Sequence, residues 1–290
     1  MIEPLRNVPI APYTHYRIGG VAREMYFPEN AVELHDVLAH LQGNGDRYFI
    51  LGGGTNLLVG DGFWDGAVVA ATRMDRFDTD ADHITCGAGL PSSRVAEIAL
   101  DHSKTGLEFL YLLPGSIGGA LAGNARYDSR NVSDALISLV AVHPKQGVRA
   151  LRRDEMEFAY KYTSIRAEGW IIAELTLAWT EGDPVEIARR MADIERARTE
   201  GHHFDFPSCG CIFKNDHARN VQVGRLLDSL GLKGLAEGDA RVADFHANFI
   251  INRGGATARD VLSLIERVER EVREKTGIVL DREVRLVGTF

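Results

Sequence analysis

Cysteine is scarce in this 290-residue chain, which carries three, at positions 86, 209 and 211. An odd number leaves at least one thiol outside any disulfide, so cross-links are not expected to hold the fold, and a reducing, cytoplasmic setting is expected. Long apolar runs are missing too. No span approaches the roughly 20 apolar residues of a membrane helix, and the opening MIEPLRNVPIAPYTHYRIGG lacks the apolar stretch of a leader. Positive charge is in deficit, with 33 Lys and Arg against 41 Asp and Glu, a net charge of −8 and a pI near 5.7. The basic stripe that a nucleic-acid footprint needs is therefore absent, whereas a small anion needs only local dipoles and a few cations. No internal repeat or low-complexity tract is present, and nothing specifies an oligomeric state.

What is present is an ordinary globular composition, 45% hydrophobic and 26% charged, long enough for two or three compact units. The first segment reads as mixed α/β and the last third as α+β. Boundaries fall near residues 72 and 182, giving units 1–72, 73–182 and 183–290. Asn30 is placed to cap a helix with Glu33 at its third position, and Leu34, Val37, Leu38 and Leu41 form the apolar stripe. Strand patterns follow at 47–51, 67–71, 83–87, 136–143 and 170–179. Asp183 and Pro184 start another helix that ends before Gly201. Thr257 with Asp260 opens a long helix whose core face is Val261, Leu264, Ile265, Val268 and Val272, closed by Gly277. A final strand over 279–287 puts Asp281, Glu283 and Arg285 on one face and Leu280, Val284 and Leu286 on the other.

Two glycine clusters carry the first chemical signal. In Gly52-Gly53-Gly54-Thr55-Asn56 the missing side chains let backbone N–H groups approach an anion, and Thr55 and Asn56 add donors. The loop lacks the GK[ST] ending of a P-loop and the spacing of GxGxxG. A tight turn between strands is the plain alternative. Pro114-Gly115-Ser116-Ile117-Gly118-Gly119-Ala120, followed by Asn124, combines close backbone approach with a helix start, where N–H groups and the dipole favour an anion. Together the clusters suggest one diphosphate-containing ligand; close packing through small residues is the alternative for the second.

Ser208-Cys209-Gly210-Cys211-Ile212-Phe213-Lys214-Asn215 admits three readings. It is a turn with two buried thiols, a zinc site with His202 and His203, or a catalytic thiol followed by Lys214 and Asn215 to orient an anionic substrate. Adjacent histidines and a Cys-x-Cys rarely wrap one tetrahedral ion and no CxxC knuckle occurs, so no metal is expected. His246, Asn248 and Asn252 flank the apolar Phe249-Ile250-Ile251, a pattern that structural hydrogen bonding alone would satisfy.

In their order these segments resemble UDP-N-acetylenolpyruvoylglucosamine reductases, the MurB family. The matching stretches are Tyr16 to Gly20, Leu51 to Val59, Pro114 to Ala120, Phe158-Ala159-Tyr160, Gly210 to Asn215, Gly224 to Leu227 with Gly231 to Gly234, His246 to Asn252, and Glu283-Val284-Arg285. They span nearly the whole chain, and their joint order makes the match specific. The resemblance implies a two-part FAD-binding region of the vanillyl-alcohol-oxidase/MurB type, then a C-terminal α+β substrate domain, in the shorter form of the family. It further implies that NADPH reduces FAD, which passes hydride to the enolpyruvyl group of a UDP-sugar. FAD contacts would come from Gly52 to Leu57 (Leu57 included), Pro114 to Gly119 and Asn124. Substrate contacts would come from Tyr160, Lys214, Asn215, His246 and Asn248.

Cys211 stands where the family has its proton-donating serine; a thiol near pKa 8.5 is mostly protonated at neutral pH and is the stronger acid. Glu283 matches the family's active-site glutamate. Lys161 stands where the family has arginine, keeping the charge and losing the planar fork, and Arg126 or Arg166 is the cation expected to compensate. The same residues leave two other readings open: a MurB-like oxidoreductase with another substrate, and a non-catalytic flavin or nucleotide-sugar binding protein.

Overall fold

The computed structural model describes residues 2–290, and the chain folds into two compact units. The first comprises the residues up to Arg6, Glu24–Gly53 and Gly66–Glu200; the second comprises Asn7–Arg23, Gly54–Asp65 and Gly201–Phe290.

In the first unit, five strands pair antiparallel in the order Gly147–Arg152, Leu136–His143, Ile171–Ala178, His83–Gly87 and Phe77–Thr79. Alternation decides which side faces the core: Leu175 and Leu177 are fully buried while Glu174 beside them is exposed. The helix Ala31–Gly43 begins as its sequence predicts. Asn30 Oδ1 accepts the Val32 and Glu33 N–H groups at 3.1 and 3.0 Å, and Leu34, Val37, Leu38 and Leu41 are buried completely. The strand Tyr48–Leu51 pairs in parallel with residues 67–70 and delivers the chain into the glycine loop.

The helix Pro184–Glu200, expected to open the C-terminal unit, packs in the first unit instead. Ile187 and Met191 enter the first unit's core, and Arg190 reaches the buried Glu108 carboxylate at 2.6 Å and Thr105 Oγ1 at 2.9 Å. A buried carboxylate needs such a partner, and this one fixes where the helix docks.

In the second unit, Ser208–Cys211, Phe249–Asn252, Ala240–Val242 and Ala236–Glu237 form an antiparallel sheet in that order. The helix Ala258–Thr276 shares its core through Val261, Leu264, Ile265, Val268 and Val272, and ends at Gly277 with φ +73°. Tyr16 is fully buried here; its hydroxyl donates to Ile250 O at 2.8 Å while Asn252 Nδ2 donates to Tyr16 O at 3.0 Å.

Two local expectations change. The stretch 208–210 is strand rather than turn. The expected strand over 279–287 is regular only at Arg285–Val287, which runs parallel to Leu57–Val59. Residues 281–284 depart from a regular ladder because they pair irregularly with 212–214 (described below), and Leu286, expected on the core face, is 36% exposed. Among the described residues no helix is long and apolar enough to cross a membrane.

The Thr257 side chain accepts the Asp260 N–H at 3.1 Å, and Asp260 in turn accepts the Thr257 N–H at 2.9 Å. Thr257→Ala removes the first of these and should destabilise the protein by about 1 kcal/mol. Urea unfolding followed by circular dichroism checks this; an unchanged midpoint would count against the cap.

Candidate active site

The two glycine clusters meet. Within the first unit, a Cβ built on Gly53 would lie 2.4 Å from Gly115 Cα, and one on Gly52 would lie 2.6 Å from Ser116 Oγ. Loops sixty residues apart are thus backbone to backbone, with no room for side chains at the contact. The loop continues through Gly54, whose φ of +65° puts it in the left-handed region, to the half-buried Thr55 and Asn56. Three residues without side chains, then a hydroxyl and an amide, make a donor set that fits a diphosphate such as that of FAD.

The helix start at 116–119 works differently from expectation. Ile117 and Gly118 N–H groups donate to Leu90 O at 2.8 Å and Ala88 O at 2.9 Å, and Gly119 N–H donates to Ser116 Oγ at 3.3 Å. These three donors are spent inside the protein. Gly118 is small because its Cβ would fall 2.4 Å from Ala88 Cβ. The close-packing alternative therefore describes 117–119, and Gly115 at the loop contact is the glycine of this cluster that meets Gly53.

Asn124, expected to touch the cofactor, is 4% exposed and bonded on both sides: Nδ2 donates to Ala159 O at 3.1 Å and Oδ1 accepts Ser133 N–H at 3.3 Å. Its effect is on the neighbouring hairpin. Phe158–Ala159 pairs with Tyr162–Thr163, leaving Tyr160 and Lys161 as the two-residue tip, and Thr163 Oγ1 donates to Ala122 O at 3.2 Å. Lys161 sits at φ +56°, a conformation L residues adopt at a cost, with its ammonium 5.9 Å from the Tyr160 ring centroid. Arg126 is exposed, and its Nε donates to Asp128 O at 2.7 Å; Arg166 is exposed as well.

Cys211 is set by a bulge. Ser208 pairs with Ile251 and Cys211 with Phe249, so three steps on one strand oppose two on the other, and Gly210 takes φ +76°. An extra residue flips the alternation. Cys209 accordingly lies in the core, 5% exposed beside Tyr16, while Cys211 is half-buried and lines a cavity of about 290 Å³. Burial pushes the Cys209 thiol up to about 12, so it stays protonated and unreactive near neutrality.

Glu283 is tied by backbone pairing to the residues that follow Cys211. Its N–H donates to Ile212 O at 2.7 Å, one residue past Cys211; Lys214 N–H donates to Asp281 O at 2.8 Å; and Phe213 faces Arg282. The glutamate carboxylate is close enough to raise the Cys209 thiol, as Cys211 does. Asn56 Nδ2 donates to Glu283 O at 3.1 Å.

Among the other expected substrate residues, Asn215 and His246 line the cavity with Cys211. Asn215 Oδ1 also accepts the Val223 N–H at 2.9 Å, at the start of the helix Val223–Ser229. Lys214 and Asn248 each have a partner within the chain. The Lys214 ammonium meets Asp281 at 2.8 Å, and the Asn248 amide clamps Phe213, accepting its N–H at 3.0 Å and donating to its carbonyl at 2.8 Å. The cavity's cations are Arg225 and Lys233, the latter paired with Asp228 at 2.9 Å. Both lie in stretches that match the family pattern, GRLL and GLKG; their position three and eleven residues from Gln222 gives no hint that they converge. Gly224 is required there by contact, since its Cβ would fall 2.9 Å from His246 Cε1. His202 bonds Asp205 at 2.8 Å and the His203 ring packs on Phe249, centroids 5.6 Å apart.

A touching pair of glycine loops in the first unit and, in the second, a cavity bearing a thiol fit an FAD-dependent oxidoreductase built from a flavin domain and a C-terminal α+β domain. Comparison with known proteins agrees: residues 23–149 match an FAD binding domain, and residues 202–287 match the C-terminal domain of UDP-N-acetylenolpyruvoylglucosamine reductase. The reductase of that name from Geobacter metallireducens is 37% identical over 99% of this chain and 94% of its own length; that from Caldanaerobacter subterraneus is 34% identical over 97% and 93%. The crystal structure of the Thermus caldophilus reductase superposes with a TM-score of 0.84 at 32% identity, covering 99% of this chain and all of that one. The chain belongs to the UDP-N-acetylenolpyruvoylglucosamine reductase family, MurB.

Two measurements check the site. In the native protein a thiol reagent should titrate Cys211 rapidly and leave Cys86 and Cys209 unmodified until denaturation, because burial pushes both of those thiols up to about 12. Rapid modification persisting in Cys211→Ala would contradict the assignment. Burial, with His203 and Lys233 nearby, lowers the His246 pKa below its usual 6.5, against the opposing pull of Asp228. The unfolded chain then takes up this proton first as pH falls, so His246 costs stability below about pH 6.5 and nothing above it. His246→Gln should flatten the loss of unfolding free energy below that pH; an identical pH slope would show the ring to be solvated.

Proposed function

We propose that this chain reduces UDP-N-acetylglucosamine enolpyruvate to UDP-N-acetylmuramate in the cytoplasm, with Cys211 delivering the proton to C2 and Glu283 acting at the developing enol. The reading is supported by one observation: Cys211 opens onto the cavity, and the Glu283 N–H is bonded to the carbonyl of the next residue, Ile212, which ties the glutamate's backbone to the thiol's strand. The segments Gly52–Leu57 and Pro114–Ser116 would hold FAD, with Thr55 as a side-chain donor to its diphosphate. When bound, FAD would supply the hydride transfer, from NADPH to C3 of the enolpyruvyl group.

The chain's own residues handle charge and the proton. Addition at C3 builds enolate character at C2 beside a carboxylate, which needs cations and donors already in place. Arg225 and Lys233 supply positive charge in the Cys211 cavity, where the UDP-sugar's diphosphate is a matching anion, and Asn215 offers an amide. Lys161, on its hairpin tip, is the cation proposed for the substrate carboxylate. Tyr160, beside it, is proposed as a substrate contact. The Cys211 S–H passes its proton to C2 and is reloaded from solvent through the cavity mouth. A thiol held half-exposed serves here, whereas the buried Cys209 would be too weak an acid.

The test separates the half-reactions. Cys211→Ala should be reduced by NADPH at the normal rate, while reoxidation by the enolpyruvyl substrate slows by about 10²–10⁴-fold, the usual weight of general acid catalysis. Cys211→Ser should retain appreciable reoxidation. A flavin reoxidised at the normal rate in Cys211→Ala would rule out the thiol. Bound flavin without substrate-stimulated turnover in the unaltered protein would favour another substrate, and a protein that takes up no FAD would favour neither enzyme.

A further inference from the structure

We infer that Asn56 is the positioning residue for Glu283, transmitting the conformation of the glycine loop to the glutamate through a hydrogen bond to its backbone carbonyl. The inference rests on the role proposed above for Glu283. Residues 278–284 belong to no regular strand, so the glutamate's peptide needs individual ties. Its N–H is held by Ile212 O at 2.7 Å, and its C=O is held by Asn56 Nδ2 at 3.1 Å. The Asn56 backbone takes part as well: its carbonyl accepts the Arg285 N–H at 3.1 Å, and from the next residue Leu57 the chain runs in parallel register with Arg285, Leu58 with Leu286 and Val59 with Val287.

The asparagine therefore grips both sides of the peptide group pair that follows Glu283. One of the two N–H groups of its side-chain amide is directed to the chain, so Asn56 ties the loop to the glutamate in addition to any donor role it has toward the ligand. A carboxamide is suited to this because it donates without charge. Aspartate has the same shape and no donor at neutral pH, and would set a carboxylate against the Glu283 carbonyl. Asn56 thus touches neither reacting carbon nor proton; it fixes where the Glu283 side chain starts from.

The test pairs a kinetic and a structural measurement on the FAD-loaded protein. Asn56→Asp should slow reoxidation of reduced flavin by the enolpyruvyl substrate by about tenfold, the weight of one well-placed hydrogen bond, at unchanged substrate half-saturation. The double variant with Glu283→Gln should be no slower than Glu283→Gln alone, because both changes act on one group. Amide exchange at Arg285 and Glu283 should accelerate in Asn56→Asp. Asn56→Ser, which also removes the amide donor and adds no charge, should repeat the pattern if the aspartate variant folds poorly. Multiplicative effects in the double variant, or wild-type reoxidation in Asn56→Asp and Asn56→Ser beside a slow Glu283→Gln, would overturn the inference alone. Wild-type reoxidation in Glu283→Gln would overturn the underlying role of the glutamate, and the inference with it.

Discussion

The carboxy-terminal segment must lie between two partners, and the second unit depends on that constraint. Residues 281–284 pair with 212–214 and residues 285–287 with 57–59, so a stretch of seven residues ties the Cys211 strand to the end of the glycine loop. Arg282 adds a two-pronged bond to Glu269, Nε to Oε1 at 2.5 Å and a terminal nitrogen to Oε2 at 2.6 Å, which anchors the segment to the long helix. Remove the pairing and Glu283, Cys211 and Asn56 lose their common frame, although each would keep its own local structure.

Glycine has two different uses here. At 53 it removes the side chain that would hold two loops apart, whereas at 210 it supplies a left-handed φ where a Cβ would meet nothing within 4 Å. The first use is steric and the second conformational. At 210 an alanine would fit the space and still cost on the order of 1–2 kcal/mol in backbone strain. That strain would work against the bulge, and the bulge alone decides which of two cysteines, two residues apart, faces the cavity. Between Cys209 and Cys211 the chemistry is thus chosen by one backbone torsion.

Much of the frame is legible in the sequence because it is written locally. Caps at Asn30 and Thr257 and stripes such as Val261, Leu264, Ile265 and Val268 are short-range patterns, and both helices form where those patterns place them. The family motifs likewise pick out Cys211, Glu283 and the two glycine clusters. What escapes is long-range or depends on a single residue. A bulge adds one position and leaves no signature beyond a glycine. The docking of the helix Pro184–Glu200 is decided by Glu108, some eighty residues earlier. Lys214, Asn124 and Asn248 have the chemistry of ligand contacts, but each has a partner within the chain that composition cannot reveal.

Those three engaged side chains have a structural use within the chain. A buried amide left unsatisfied costs about 1–3 kcal/mol, so an asparagine with both ends bonded to backbone makes its loop adopt one conformation. Asn248 does this to Phe213, next to the strand that ends in Cys211, and Asn124 does it to the hairpin that carries Lys161. Lys161 in turn holds a left-handed φ that a glycine would take more cheaply. Keeping a lysine there places its ammonium on a tip whose base is pinned by Asn124 and Thr163, so the position of the charge is set by buried bonds as well as by the half-buried side chain's own preferences.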